Sequence, residues 1–590
     1  MYSLLKNLNI FFTSKYELNT TIVKSQIVFF ISSLFELTGI LMLGPLIFLA
    51  TSGESSLTNT EINFLYNFFY FNSFDKFFLI FFIATFTFIL IGSFASVFSV
   101  IVLSRMATDC GVNLGNKLLH HYIYQKWSYL MTVSSNKIIN EIYQESSRVT
   151  QNILVPMMMM NKNFILVFFI ICGLLYIDVI LTSGFFLVLT LVYCLIYLTF
   201  RSGLYKNSEL LTVAHENRLS FLSDVFELMK QIKIWSNEQY FINGFGKASA
   251  VWGNSYRHNL NVALLPRYFI ESCILLGVST LIYLSTVSGF NFSESFPKFT
   301  VFLFSAFKLL PALQGIYYSS SQIRGNIYSF ENIINTLSVE PASKDQKIDA
   351  LPNNLINVNF ENVSFNYPES DKPAIKNISL LLESNKIIGI TGKSGSGKST
   401  FCDVLMGLLD YQEGSIKING NILAIYENKE WFNKISYAPP QTKLINDSVL
   451  NNIFFSSEDV YSFEHIQNIV NLDFLESEDS LKELPTENTL SAGQVQRLGL
   501  ARSLARRFPE LIILDEPTSA LDNENMANFI KNLTELKQDK MIILITHEIN
   551  ILKEVDQVIV FNDGYADSFT SFAEALDQSG ELNRLIQANQ

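Results

Sequence analysis

Cysteine is scarce and unpatterned in this chain, charge is sparse, and an excess of basic residues is missing altogether. Five cysteines occur in 590 residues. Cys110, Cys172, Cys194, Cys273 and Cys402 show no paired spacing, which argues for free thiols and against a cysteine metal site. Only 16% of residues are charged, and the formal net charge is −12. That balance excludes the basic footprint of a nucleic-acid binder. The charge is also unevenly spread: residues 1–340 carry +3 and residues 341–590 carry −15. A chain of this length exceeds one domain. It reads as an apolar, aromatic-rich first part followed by an acidic, soluble-looking second part.

In the first part, six segments are long and apolar enough to cross a bilayer: 22–50, 77–104, 152–176, 179–200, 260–287 and 299–321. Crossing takes about 20 such residues, because the backbone must satisfy its own polar groups. Runs such as Phe77-Phe-Leu-Ile-Phe-Phe-Ile-Ala lack the polar face of a soluble helix. Residues 1–20 read as an amphipathic lead-in, not a cleaved signal. Basic residues gather in 105–150 and 201–258, among them Arg105, Lys126, Arg148, Arg218 and Lys247. That bias predicts a cytoplasmic location for both connections, both termini and the second part. The two connections are expected to extend the spans as helical stalks whose tips touch the second part. The aromatic stretch 61–71 reads as an interfacial helix on the opposite side.

Charges within the spans mark a pathway or a pair, because an unpaired charge there is expensive. Arg267 and Glu271 are spaced i, i+4 and can pair or line a cavity; Lys308 is assigned to the cavity. Lys162 is expected to snorkel toward the interface. The Met157–Met160 run reads as packing.

After a polar connector the periodicity changes. Short apolar strands (Val358–Phe360, Ile387–Ile390, Leu511–Leu514, Met541–Ile545) alternate with helical stretches, the pattern of an α/β domain. Ile387-Ile-Gly-Ile-Thr runs into Gly392-Lys393-Ser394-Gly395-Ser396-Gly397-Lys398-Ser399-Thr400. A glycine-rich loop between strand and helix wraps phosphate with backbone N–H groups, Lys398 supplies charge and Ser399 offers a hydroxyl to Mg²⁺. Farther on, four apolar residues end in Asp515-Glu516. Asp515 is assigned to Mg²⁺, and Glu516 to the general base that polarises the attacking water.

With these motifs, the chain resembles the ATP-binding cassette family, over nearly its whole length. Leu490-Ser491-Ala492-Gly493-Gln494 matches that family's signature, with alanine where glycine is usual. The resemblance implies that Ser491, Gly493 and Gln494 close over the γ-phosphate on an opposite cassette. It also implies a switch role for His547, a communicating loop at Ser519-Ala-Leu-Asp522, and adenine stacking by Tyr367. Gln441 falls one residue late for the family's glutamine loop, where it would serve Mg²⁺ and water. The charged segment usual before the signature is missing around Leu484–Thr489.

Six spans ahead of one cassette resemble the exporter branch, and within it the bacterial lipid-linked oligosaccharide flippases. The residues that carry this are 264–271, Phe307-Lys308-Leu-Leu-Pro311 and the aromatic segment near 61–71. Gly92 and Gly315 stand where that likeness would place arginines. The fold expected is thus an all-α transmembrane domain, six helices with long cytoplasmic extensions (1–337), then a linker (338–355), an α/β P-loop ATPase domain (356–575) and a C-terminal tail (576–590). The resemblance implies ATP and Mg²⁺ as ligands, membrane lipids as surroundings and a second copy as partner, with a heterodimer as the alternative. It implies an inner-membrane flippase for a lipid-linked saccharide or related lipid. The alternatives are an exporter of a peptide, toxin or small amphiphile, and an ATP-gated channel or regulator.

Overall fold

The computed structural model describes residues 15–589, except 181, 185, 188–189, 191–203, 288–291, 340–351, 353, 369, 371, 456–462, 473, 476–489, 507–508 and 519–522. The chain divides into two compact units, Met1–Gln125 with Thr132–Pro341, and Lys126–Met131 with Ala342–Gln590.

The first unit is helical: α1 (Lys15–Ser52), α2 (Thr60–Phe68), α3 (Phe74–Ile123), α4 (Ser135–Ile177), α5 (Leu204–Glu227), α6 (Glu238–Leu264), α7 (Pro266–Val287) and α8 (Phe292–Ser338). Long runs of apolar residues give helices far longer than the spans they contain, and Pro45 of α1 and Pro311 of α8 lie inside them without ending the helix. Among the described residues, four helices are long and apolar enough to cross a membrane, within 20–57, 74–123, 135–177 and 300–338. The span expected at 179–200 lies largely outside the described residues. The one expected at 260–287 is divided where α6 ends at Leu264 and α7 begins at Pro266.

Small residues let these helices approach. A Cβ on Gly92 of α3 would lie 3.2 Å from the Phe35 carbonyl oxygen of α1. One on Gly315 of α8 would lie 2.3 Å from the Asn163 amide nitrogen of α4. At Gly92 the neighbour is backbone, so a side chain there would press the two helices apart, whereas at Gly315 the Asn163 side chain would have to turn aside. Two apolar clusters hold the bundle, one around Leu114, Ile153 and Phe330 and one around Ile40, Ile170 and Leu309. The aromatic stretch forms α2, capped by the Asn59 side chain, which accepts from Glu61 N and Ile62 N.

The second unit contains two sheets. β1 (Asn357–Phe365), β2 (Ile375–Glu383), β4 (Glu413–Ile418) and β5 (Asn421–Ile422) form an antiparallel sheet ordered β2-β1-β4-β5. β3 (Lys386–Gly392), β6 (Ile435–Ala438), β7 (Leu511–Asp515), β8 (Met541–Ile545), β9 (Gln557–Asn562) and β10 (Tyr565–Phe569) form the other, ordered β10-β9-β3-β8-β7-β6. All its neighbours run parallel except β9 and β10. The near-continuous apolar sequences of β3, β7 and β8 suit strands covered on both faces. One core, with Phe360, Phe401 and Trp431, lies on one side, and a second, with Leu498, Leu514 and Leu544, on the other. The register that matters is Ile390 beside Ile545, and Asp515 beside Ile545. It brings the ends of β3, β7 and β8 to one edge. The second core also takes up Phe529 and Leu533 of α11 (Asn523–Leu536), and residues 576–590, read from sequence as a tail, include α12 (Gly580–Asn589), whose Leu582 is buried there too.

Candidate functional site

Three strand ends and one helix start make the site. β3 ends at Gly392, whose φ is +145° and whose absent Cβ would fall 2.3 Å from the Phe561 carbonyl oxygen. Only glycine permits that turn. At the other end of the loop Gly397, φ +107°, lies so near Ala374 that a Cβ would meet its carbonyl oxygen at 2.5 Å. Between them the loop turns back, with Ser396 N donating to Lys393 O at 3.2 Å. Helix α9 (Lys398–Leu405) then begins, and its first N–H groups form an anion-binding terminus with the loop.

Lys398 is largely buried, and its ammonium donates to the Gly392 and Lys393 carbonyls at 2.6 and 2.7 Å. Burial holds its pKa below the ordinary lysine value, against the opposing charges of Asp515 and Glu516. Asp515 ends β7, and burial, then Glu516, pushes its carboxyl up to about 6, with Lys398 opposing. Asp403 of α9 is likewise raised to about 6, by burial and then by Asp515. Burial first, and the neighbouring carboxylate second, disfavour ionisation of both groups. The donor set of Asp515 and the Ser399 hydroxyl suits Mg²⁺, a hard ion that takes oxygen.

Glu516 follows in the left-handed region at φ +49°, unusual for a residue with a side chain. Two bonds hold it there: its N–H donates to Ile545 O at 2.9 Å, and the Gln496 amide donates to its carbonyl at 2.8 Å. His547 follows β8. Burial and then the Lys398 charge lower its pKa, while Glu516 raises it. Lys398, Asp515, Glu516 and His547 therefore share one electrostatic field. Tyr367 joins them from the end of β1: its hydroxyl is 3.1 Å from Thr400 Oγ1, and its ring meets Phe365 edge-on. Ser394, Gly395 and Ser399 belong to the same loop and helix start. Gln441 is exposed in the loop after β6.

The signature residues stand apart. Ser491 caps α10 (Ala492–Leu504) by accepting from Gln494 N, and the Gln494 side chain accepts from Ser491 N at 2.8 Å. This reciprocal cap occupies Gln494, assigned from sequence to nucleotide, in shaping the helix start. Among the described residues, no hydrogen bond or ion pair joins Ser491, Gly493 or Gln494 to the phosphate loop. Ser519–Asp522 and Leu484–Thr489 lie outside the described residues.

Two features escaped the sequence reading. Glu581 of α12, only 6% exposed, pairs with Lys393 of the phosphate loop at 2.9 Å. In the helical unit, the Glu36 carboxylate of α1 accepts from Ser96 Oγ of α3 and pairs with Lys308 of α8 at 3.3 Å. Lys162 of α4 donates to Ser96 O at 3.5 Å, so two ammonium groups converge near one buried carboxylate. Lys308 thus joins Glu36 and Lys162, not Arg267. Arg267 pairs with Glu271 at 2.8 Å on the same helix face, and Gln314 also reaches Glu271.

Residues 375–519 match the family described as ABC transporter. The structure resembles a bacterial Atm1-family ABC exporter with ATP bound, at a TM-score of 0.78 and 16% identity over 98% of this chain and 99% of that one. In fold and domain order the chain resembles an ATP-binding cassette half-transporter: an apolar helical region followed by one cassette-like domain. The chain is similar to proteins named ATP-dependent lipid A-core flippase. It is 28% identical to that of Photorhabdus laumondii over 60% of this chain and 62% of the relative. It is 30% identical to that of Haemophilus influenzae over 52% and 54%, and 27% identical to that of Escherichia coli K12 over 60% and 62%. The matched region thus spans less than two thirds of each of these relatives.

Proposed function

We propose that this protein hydrolyses ATP to move an anionic lipid, a lipid-linked saccharide or a related lipid, from the cytoplasmic to the outer leaflet of the inner membrane. The observation that carries the reading is the joint presence of the Lys398–Asp515–Glu516–His547 cluster and the buried Glu36–Lys308–Lys162 cluster. The relatives' name supports the choice of a lipid as cargo.

In the nucleotide site, the loop N–H groups and the α9 terminus take the β- and γ-phosphates. Lys398 exchanges its two carbonyl partners for phosphate oxygens. Ser399, Asp515 and Gln441 would hold Mg²⁺, which would screen the phosphate charge. Glu516, fixed by Gln496 and Ile545, orients the attacking water and accepts its proton. His547, neutral beside Lys398, donates a hydrogen bond to the γ-phosphate. Tyr367 offers its ring to adenine. Ser491 and Gly493 lie away from this loop and serve the site of a second copy, so two chains complete two sites. Among the apolar helices, Lys308 and Lys162 outnumber Glu36 and leave a net positive site for a phosphate or pyrophosphate headgroup.

Hydrolysis by the purified protein tests the first half of this reading. Lys398→Ala is expected to abolish nucleotide binding. Glu516→Gln is expected to retain binding and lower turnover by ~100-fold or more. Unchanged turnover in Glu516→Gln would overturn the assignment of the base.

A further inference from the structure

Helix α4 is not uniform. Asn140–Glu145 and Thr150–Leu154 wind as π-helical turns on either side of Ser146–Val149. Such turns are rare and fall frequently at functional sites. Here they decide which residues share a face. Tyr143 and Gln144, Ser147 and Arg148, and Gln151 and Asn152 all line one cavity of about 470 Å³, bounded also by α5, α6 and α8. These pairs recur every four residues. A helix of 3.6 residues per turn drifts about 40° over four residues and about 80° over eight, which would carry the third pair off the face. The wider π turns keep all three pairs on it.

The groups that this wall leaves accessible are neutral. Tyr143 is 75% exposed and Tyr256, from α6, 45% exposed. Gln151 is exposed and Asn152 half-buried. The two phenols and these two carboxamides have no hydrogen-bond partner among the described residues. A carboxamide offers two N–H donors and an acceptor oxygen, and a phenol offers a donor and an acceptor, which is the set that sugar hydroxyls need. Tyr256 is also a platform. Its ring stacks on Trp252 at 5.4 Å and 8°, and Trp252 is held in turn by Arg218 at 4.7 Å and by His215 Nε2, which accepts from Trp252 Nε1 at 3.1 Å. The half-exposed ring, fixed from behind, presents its other face to the apolar C–H face of a ligand.

No charge is offered to the cavity. Arg148 is 5% exposed, and its guanidinium bonds to Asn326 and Thr212 and pairs with Glu145 inside the wall. Burial, then the charges of Arg148 and Arg218, lower the His215 pKa to about 4, so that ring is neutral at pH 7. No carboxylate lines the cavity. An open aromatic face with neutral donors and acceptors around it suits a polyhydroxylated ring, and a phosphate or carboxylate would find no counter-charge. Lys162 lies ten residues beyond Asn152 on the same helix, about 15 Å along it, a separation that a short chain of pyranoses spans.

We propose that this cavity binds an uncharged oligosaccharide, one pyranose lying on Tyr256 with its hydroxyls bonded to Gln151, Asn152 and Tyr143. The physiological occupant rests on the lipid-transport reading: it is the glycan of the cargo, whose phosphate sits at Lys162 and Lys308. The full chain in nanodiscs would be titrated with chitotriose, maltotriose and mannotriose, and with inorganic phosphate as the charged comparison. Tryptophan fluorescence gives the signal, with Trp252→Phe identifying its source, and saturation-transfer NMR gives an independent Kd. At least one trisaccharide is expected to bind below ~1 mM, with phosphate leaving the Trp252 signal unchanged. Tyr256→Ala and Gln151→Leu, both at exposed positions, should each weaken that trisaccharide at least ~5-fold, and thermal melting reports whether each variant folds. Absence of binding by all three sugars, displacement of the sugar by phosphate, or folded variants that bind like the wild type would overturn the proposal. Neither nucleotide nor transport enters the titration, so its failure leaves the flippase reading standing. Sugar binding by a protein that moves no lipid would overturn the flippase reading alone.

Discussion

Replacing Lys308 by methionine removes one ammonium from the pair with Glu36, a carboxylate 8% exposed between α1, α3 and α8. Breaking a fully buried pair from one side costs about 3–5 kcal/mol, because the remaining charge has lost its partner. Lys308 is 45% exposed, and Ser96 and Lys162 stay near the carboxylate. The expected loss is therefore about half, ~2 kcal/mol. Glu36→Gln should cost less, ~1 kcal/mol, since the half-exposed ammonium can turn to water. The double variant Glu36→Gln/Lys308→Met removes both charges and should lie within ~1 kcal/mol of the wild type. Reversible denaturation of the protein in mixed micelles measures all four. A double variant whose loss equals the sum of the singles would refute the coupling of these residues. The same variants separate stability from transport: the double variant should remain folded yet move anionic lipid poorly, because only Lys162 is left.

Three further outcomes follow from particular contacts. Glu581→Gln loosens Lys393 in the phosphate loop, and with one partner half exposed the effect should be a ~3- to 10-fold higher KM for ATP with kcat unchanged; Lys393→Met should match it, and the double variant should add nothing in steady-state assays. His215, whose folded pKa is lowered from 6.5 to about 4, takes a proton more readily when unfolded. Stability should therefore rise with pH from about 4 to 6.5 and level off above, and His215→Gln should flatten that part of a melting profile by up to ~2 kcal/mol after allowance for partial exposure. Gly92→Ala should lower the melting temperature slightly and Gly92→Leu severely, since the added Cβ already stands 3.2 Å from the α1 backbone and further carbons have no space.

The cassette was legible in sequence because its parts are local. The phosphate loop, the Asp515-Glu516 strand end and the Ser491 cap each lie within a few consecutive residues, and each dictates its own turn or helix start. Four of the six apolar spans were legible for the same reason, although the helices that hold them run farther: Phe74–Ile123 extends well beyond 77–104. What the sequence concealed is pairing across distance. Glu36 and Lys308 lie 272 residues apart, and nothing in either neighbourhood names the other. Lys393 and Glu581 meet only because Leu582 docks α12 into the cassette core, a packing that the polar sequence of 576–590 does not announce. The i, i+4 pair of Arg267 and Glu271 was visible as a spacing, but spacing alone left its two readings open. The π-helical turns around Arg148 leave no signature in sequence, since they depend on how α4 fits between its neighbours.

ATP-dependent movement of a fluorescent polyprenyl-pyrophosphate glycan across proteoliposomes, with Glu516→Gln as control, tests the central claim most directly. The account predicts movement with the wild type, its loss in Glu516→Gln and its reduction in Lys308→Met. Normal ATP hydrolysis without movement of this lipid or of a lipid A-core probe would contradict it.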